Sequence, residues 1–201
     1  MTATTTPPRV AGLLLAAGGG RRLGGRPKAL LEHRGRPLVE HAVRALRDGG
    51  CDPVRVVLGA AADTVRERAE LGGCAVTVNP GWAEGMGSSL RAGLAALAGS
   101  GADAALVLLV DQPGIGAGAV ARVRAAYRSR SGIAAAAYGG ERGHPVLFGA
   151  ALWPDVAAGA VGDQGARRFL RAHHDAITLV ECSDVAEAYD IDTVADLDRL
   201  R

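Results

Sequence analysis

The chain has 201 residues, 23 Lys+Arg against 21 Asp+Glu, and a formal net charge of +2; that balance gives no field to hold nucleic acid or an anionic membrane surface. Its 48% apolar content excludes disorder, and its 29 Gly without a triplet period exclude a collagen-like fibre and place the excess in turns and ligand loops. The length suits one domain with a core of its own, here dense in alanine.

In chain order, residues 1–8 read as a Thr/Pro-rich disordered tail ahead of one domain over 9–201. Five short apolar runs bounded by Gly, Pro or Asp follow: Val10 to Ala16, Val54 to Gly59, Ala75 to Val78, Ala104 to Val110 and Ile133 to Tyr138. They read as strands buried on both faces. Between them Pro37 to Arg47, Asp63 to Leu71, Ser88 to Leu97 and Ala117 to Arg128 carry apolar residues at three- and four-residue spacing, the pattern of amphipathic helices. That alternation predicts right-handed crossovers and a mostly parallel sheet in a three-layer α/β/α fold. Beyond Gly139, strands at Pro145 to Phe148 and Thr178 to Cys182, a helix over Gln164 to His173, and Tyr189 to Asp192 leading into a short helix capped by Asp192 or Thr193 should complete the same sheet. Cys51, Cys74 and Cys182 form no Cys-x-x-Cys pair and read as small buried hydrophobes suited to a reducing cytoplasm. The apolar stretch after the tail is too short to span a bilayer.

The first strand runs directly into Leu15-Ala16-Ala17-Gly18-Gly19-Gly20-Arg21-Arg22-Leu23-Gly24-Gly25-Arg26-Pro27-Lys28. An open α/β sheet places its ligand loop there. Glycines let backbone amides approach an anion closely, and arginines add forked donors for phosphate oxygens. A dinucleotide fingerprint needs Gly where Leu23 stands, and a Walker loop needs Lys directly after its last Gly, where Arg26 follows Gly25. Lys28 is the chain's single Lys beside 22 Arg, and Asn79 its single Asn. A compact ammonium is kept where one oxygen atom must be met, and arginine does not replace it there.

Leu15, Ala16, Ala17, Gly18, Gly20, Arg22, Leu23, Gly24, Pro27 and Lys28 match the signature of the nucleotidyltransferases that activate sugars and cofactors. Asn79-Pro80-Gly81-Trp82-Ala83-Glu84-Gly85-Met86-Gly87-Ser88-Ser89-Leu90, Val110-Asp111-Gln112-Pro113, Gly143-His144-Pro145-Val146, Gly162-Asp163-Gln164-Gly165-Ala166-Arg167 and Asp190-Ile191-Asp192-Thr193 resemble landmarks of the molybdenum cofactor cytidylyltransferases, within the small molybdopterin nucleotidyltransferases. Val110 departs from the glycine more usual there. The resemblance implies a Rossmann-like, glycosyltransferase-A-like nucleotidyltransferase fold, and transfer of CMP from CTP to a molybdopterin-type acceptor, with the same chemistry using GTP or another phosphorylated acceptor, such as a sugar phosphate, as the alternative. The acceptor would pass to a molybdoenzyme of the xanthine dehydrogenase type or its chaperone. A non-catalytic cofactor-delivery module is the alternative of another class.

The roles so implied are as follows. Gly18, Gly19, Gly20 and Arg21 hold the phosphates through backbone amides, Arg22 clamps them, and Lys28 meets the α-phosphate. Asp111 and Asp192 hold Mg²⁺, or Mn²⁺ in its place, with Asp190 as alternate to Asp192; one or two carboxylates suffice for such an ion. Leu15, Ala16, Ala17, Asn79, Ser88 and Ser89 contact the nucleotide, Ser88 and Ser89 being equally readable as helix caps. His144 and Asp163 face the acceptor.

Overall fold

The computed structural model describes residues 6–201. The expected tail therefore falls largely outside the described residues; residues 6–9 carry no secondary structure and are exposed.

Among the described residues nine strands form: β1 (Val10–Ala16), β2 (Glu32–His33), β3 (Arg36–Pro37), β4 (Val54–Leu58), β5 (Ala75–Val78), β6 (Ala104–Leu109), β7 (Ile133–Tyr138), β8 (Glu141–Gly149) and β9 (Ile177–Glu181). Six α-helices accompany them: α1 (Leu38–Asp48), α2 (Ala62–Arg68), α3 (Met86–Leu97), α4 (Ala117–Ala125), α5 (Trp153–Gly159) and α6 (Arg167–Ala172). Seven strands make one sheet in the order β5-β4-β1-β6-β8-β7-β9. Within it β5, β4, β1 and β6 are mutually parallel, β8 runs antiparallel to both β6 and β7, and β7 pairs parallel with β9. Strands drawn from the last third of the chain extend the sheet begun by the first.

The alternation along β1 shows why the fold has three layers. Val10, Leu14 and Ala16 face a cluster built with α1, α2 and α4, whereas Ala11, Leu13 and Leu15 face one built with α3, α5 and α6. Successive strand side chains point to opposite faces, so a continuous apolar run must be covered twice. Small residues set how closely the helices lie: a Cβ on Gly93 of α3 would stand 2.6 Å from Leu13 Cδ1. β7 contains Ala134 to Ala137, a composition with weak strand preference; it is a strand because β8 and β9 bond it on both sides.

Several expectations are corrected. β5 and β9 are edge strands, half-buried to exposed, and Val78 and Leu179 stand out from them. The helix expected over Gln164 to His173 is a 3-10 turn at Gly162–Gln164 followed by α6, because Gly165 takes a positive φ between them. Tyr189 to Asp192 is irregular rather than a strand. The closing element is a 3-10 helix, Val194–Leu200, capped by Thr193 in a capping box with Asp196, so Asp192 is not its cap. α5 and the β2–β3 hairpin lack counterparts in the sequence reading. Cys51 and Cys182 are buried and Cys74 partly so; burial pushes the Cys51 thiol up to about 12.

Candidate active site

The parallel strands β1, β4 and β6 end on one edge of the sheet, where open α/β folds bind ligands. The loop after β1 is shaped by Gly20, whose φ is +62° and whose added Cβ would lie 1.9 Å from the Arg26 carbonyl oxygen; only glycine fits both conditions. The Gly20 carbonyl accepts bonds from the Leu23 and Gly25 amides, and Leu23 is buried beneath the loop. Arg21 and Arg22 remain exposed and form no ion pair among the described residues. The chain then enters a 3-10 turn, Lys28–Leu30, which carries the lysine back toward the sheet.

Lys28 Nζ lies 2.6 Å from Asp111 Oδ2 and 2.5 Å from Asp192 Oδ1. Asp111 stands two residues beyond β6, and Asp192 reaches the same point because Ile191 is fully buried and its amide donates to the Asp111 carbonyl. Burial alone would lower the Lys28 pKa, but Asp111 and Asp192 outweigh it and hold the ammonium above its ordinary value of 10.5. Burial pushes the Asp111 carboxyl up, against the pull of Lys28 and with the Asp190 charge adding to the rise. Asp192, not Asp190, faces the lysine: Asp190 Oδ1 instead accepts from Gln112 Nε2 at 2.7 Å. Two carboxylates converging on one cation suit a hard divalent ion that takes its remaining ligands from phosphate and water. Among the described residues no group of three His, Cys, Asp or Glu could hold a metal by itself.

Beside this centre opens a cavity of about 310 Å³ lined by Leu15, Gln112, Arg142, His144, Gln164, Arg167 and Asp190. The antiparallel sense of β8 is what brings Arg142 and His144 here: its first residues fall at the edge where β1 and β6 end. Burial holds the His144 imidazole down to about 4, with Asp190 opposing and Arg142 and Arg167 reinforcing the fall. His144 is therefore neutral at physiological pH. Asp163, nominated with it, is exposed and does not line the cavity; its neighbour Gln164 does.

The nominated nucleotide contacts divide. Ala16 and Ala17 are buried, so what they offer a ligand is main chain. Asn79, Ser88 and Ser89 are buried as well and hold one another: Asn79 Nδ2 donates to Ser88 Oγ at 2.9 Å and to Ser89 Oγ at 3.1 Å, and Asn79 Oδ1 accepts from the Gly81 amide at 3.0 Å. The cluster ties the Asn79 loop to the first turn of α3. Neither serine is an N-cap, since that position belongs to Gly85. Trp82 packs against Gly19 and Gly59, between the glycine loop and the end of β4. Gln112, Arg142, Gln164 and Arg167 escaped the sequence reading; each sits beside or within a motif quoted for another residue.

Residues 12–177 match the family model described as the MobA-like NTP transferase domain, and the chain belongs to that family. It is 45% identical over 203 residues to nicotine blue oxidoreductase of Paenarthrobacter nicotinovorans, with 98% of each chain covered. It is 38% identical over 123 residues to a probable molybdenum cofactor guanylyltransferase of Opitutus terrae, covering 61% of this chain and 58% of the other. The crystal structure of a Mycobacterium tuberculosis rv0371c homolog from Mycobacterium sp. strain JC1 superimposes with a TM-score of 0.83 at 33% identity over 96% of this chain and 94% of that one. A manganese complex of Rv0371c from M. tuberculosis H37Rv superimposes with a TM-score of 0.76 at 27% identity, over 96% and 97%. The fold and family are those of nucleotidyltransferases. No helix among the described residues is long and apolar enough to cross a membrane.

Proposed function

We propose that this chain transfers CMP from CTP to a molybdopterin-type acceptor, the molybdenum cofactor, and releases pyrophosphate. The observation that carries the reading is the Lys28 ammonium held between Asp111 and Asp192 at the foot of the glycine loop. In such a transfer an acceptor phosphate oxygen attacks the α-phosphorus while its bond to the β-phosphate oxygen breaks, and negative charge grows on the oxygens of the transferred and leaving groups. The protein's part is to position these groups and neutralise their charge. Lys28 serves the α-phosphate, Arg21 and Arg22 are free to close on the β- and γ-phosphates, and Asp111 and Asp192 would hold a divalent cation. That cation, when bound, neutralises the leaving pyrophosphate. Support for it comes from the donor set and from the manganese complex of a structural relative.

Ala16-Ala17 supports CTP by its resemblance to the cytidylyltransferase signature. Molybdenum as cargo is supported by the relatives named molybdenum cofactor guanylyltransferase. A cytoplasmic setting and delivery to a molybdoenzyme of the xanthine dehydrogenase type, or to its chaperone, complete the proposal.

A second reading has one observation in its favour, the relative named nicotine blue oxidoreductase. Leu23 stands where a dinucleotide fingerprint requires glycine, so the loop itself supports triphosphate binding. Two assays on one preparation separate the readings: pyrophosphate release with molybdenum cofactor and CTP, GTP or ATP, and bleaching of nicotine blue with NADH or NADPH. Bleaching without pyrophosphate release would overturn the transferase proposal, and faster release with GTP than with CTP would overturn the choice of base.

A further inference from the structure

His33 is buried, as are Asn79, Ser88 and Ser89. Those three hold one another, whereas His33 reaches 167 positions along the chain: its Nδ1 lies 3.0 Å from the Leu200 carbonyl oxygen. A carbonyl only accepts, so Nδ1 carries the hydrogen and donates it. The His33 carbonyl in turn accepts from His41 Nε2 of α1 at 2.6 Å, and the two rings stand 5.3 Å apart. β2 is thereby fixed to α1 on one side and to the end of the chain on the other.

Both ends of the His33–Leu200 bond lead to the ion triad. On one side, the Lys28–Leu30 turn closes with the Leu31 amide donating to the Lys28 carbonyl at 3.1 Å, and His33 lies two residues beyond. Ala29 and Leu31 are buried in the same cluster as Leu200. On the other side, Leu200 ends the segment that carries Asp192. Of residues 190–201 only Ile191 and Leu200 are buried. Ile191 is bonded to the Asp111 carbonyl, and Leu200 is the second pin. Between them runs the seven-residue 3-10 helix Val194–Leu200. Runs of that kind beyond roughly three or four residues are uncommon, because their hydrogen bonds are poorly aligned. Thr193 and Asp196 close its N-terminus, whereas its last carbonyls have no partner within the helix. His33 supplies one, so the segment takes its place from its two ends.

We infer that His33 is a positioning residue: its bond to Leu200 holds the Asp192 segment in register with the Lys28 turn, so that Asp192 and Asp111 converge on one point. It acts through the two segments that it joins. Its effect on metal binding rests on the proposed role of Asp111 and Asp192 as cation ligands; its effect on Lys28 does not. A histidine that only filled the core would change stability and leave both untouched.

The test compares His33→Leu with His33→Asn in the whole chain. The two replacements have nearly the same shape, and the asparagine amide nitrogen stands as many bonds from the backbone as Nδ1, so only His33→Asn keeps a donor for Leu200. Lys28 is the single Lys, so isotope-labelled lysine gives one ε-methylene NMR signal, which reports this side chain alone. In the parent and in His33→Asn its two protons should have separate shifts, because two carboxylates hold Lys28; in His33→Leu the shifts should merge. Mn²⁺ affinity is read by calorimetry in the Lys28→Met background, where no ammonium competes for the carboxylates, at a temperature at which every variant is folded. Adding His33→Leu there should weaken binding about tenfold, and adding His33→Asn should recover most of that loss. If His33→Leu does not fold, His33→Gln, whose amide nitrogen lies one bond too far, takes its place. A Lys28 signal that His33→Leu leaves unchanged, or that both variants change alike, overturns the inference, as does Mn²⁺ binding that neither substitution alters. The expected Lys28 signals with no Mn²⁺ binding in any version keep the positioning role and overturn the proposed metal site.

Discussion

Replacing Lys28 with methionine keeps most of the unbranched stem and removes the charge between Asp111 and Asp192. Nζ is 2.6 Å from one carboxylate oxygen and 2.5 Å from the other, which places those oxygens within about 5 Å of each other. Without the ammonium they repel by about 3 kcal/mol at an effective dielectric of about 20. The Asp192 side chain is 40% exposed, and solvent screening reduces the figure to roughly 1–2 kcal/mol. A divalent cation entering the variant relieves that repulsion, whereas in the parent it must first displace a like charge. Nucleotide-free Lys28→Met should therefore bind Mn²⁺ about 5- to 30-fold more tightly than the parent, and its melting temperature should rise on adding Mn²⁺ more than the parent's does. Turnover should fall on the order of 100- to 1,000-fold, the usual cost of a positioned electrostatic donor. Calorimetric Mn²⁺ titration, melting curves with and without the ion, and pyrophosphate release measure the three effects. Equal Mn²⁺ affinity in both proteins would refute the reasoning about the ion triad, and turnover within a few-fold of the parent would remove Lys28 from the chemistry.

Asp111→Asn removes one of two converging carboxylates without changing shape, so the Mg²⁺ midpoint for activity should rise and activity should recover in part at high Mg²⁺; an unchanged midpoint would sink the metal assignment. Asn79→Ala strips the buried Ser88 and Ser89 hydroxyls of their amide donor, and chemical denaturation should show a loss of about 1–3 kcal/mol, where a surface base contact would leave stability unchanged. His144 titrates at about 4 in the folded chain against an ordinary 6.5, so between those values the unfolded chain binds the extra proton. Stability should accordingly be full above pH 6.5 and decline as pH falls toward 4, by up to about 3 kcal/mol and less to the extent that the imidazole borders open solvent. His144→Gln should flatten that part of the melting-temperature profile, and an identical slope in both proteins would show that His144 is charged in the fold.

The local pattern alone was enough to identify the first four strands of the large sheet, helices α1 to α4 and the glycine loop. Each of these is specified by side chains adjacent in sequence: Val10 to Ala16 is apolar throughout, and Gly20 stands where no side chain fits. Runs for β7, β8 and β9 are visible too, but β7 is a strand only because β8 and β9 bond it. The composition also singled out Lys28 and Asn79, one held between two carboxylates and one buried in a hydrogen-bonded cluster, though nothing in the sequence distinguished those places. Tertiary structure decided the rest. Asn79 is structural because its amide meets two serines that α3 brings back to it, and Asp192 rather than Asp190 meets the lysine because Ile191 between them is buried and bonded to Asp111. Arg142 and Gln112 share one cavity only because β8 runs against its neighbours. Strand direction, a buried residue pointing inward and a bond between residues 78 positions apart leave no periodicity in the chain; they exist once distant segments pack.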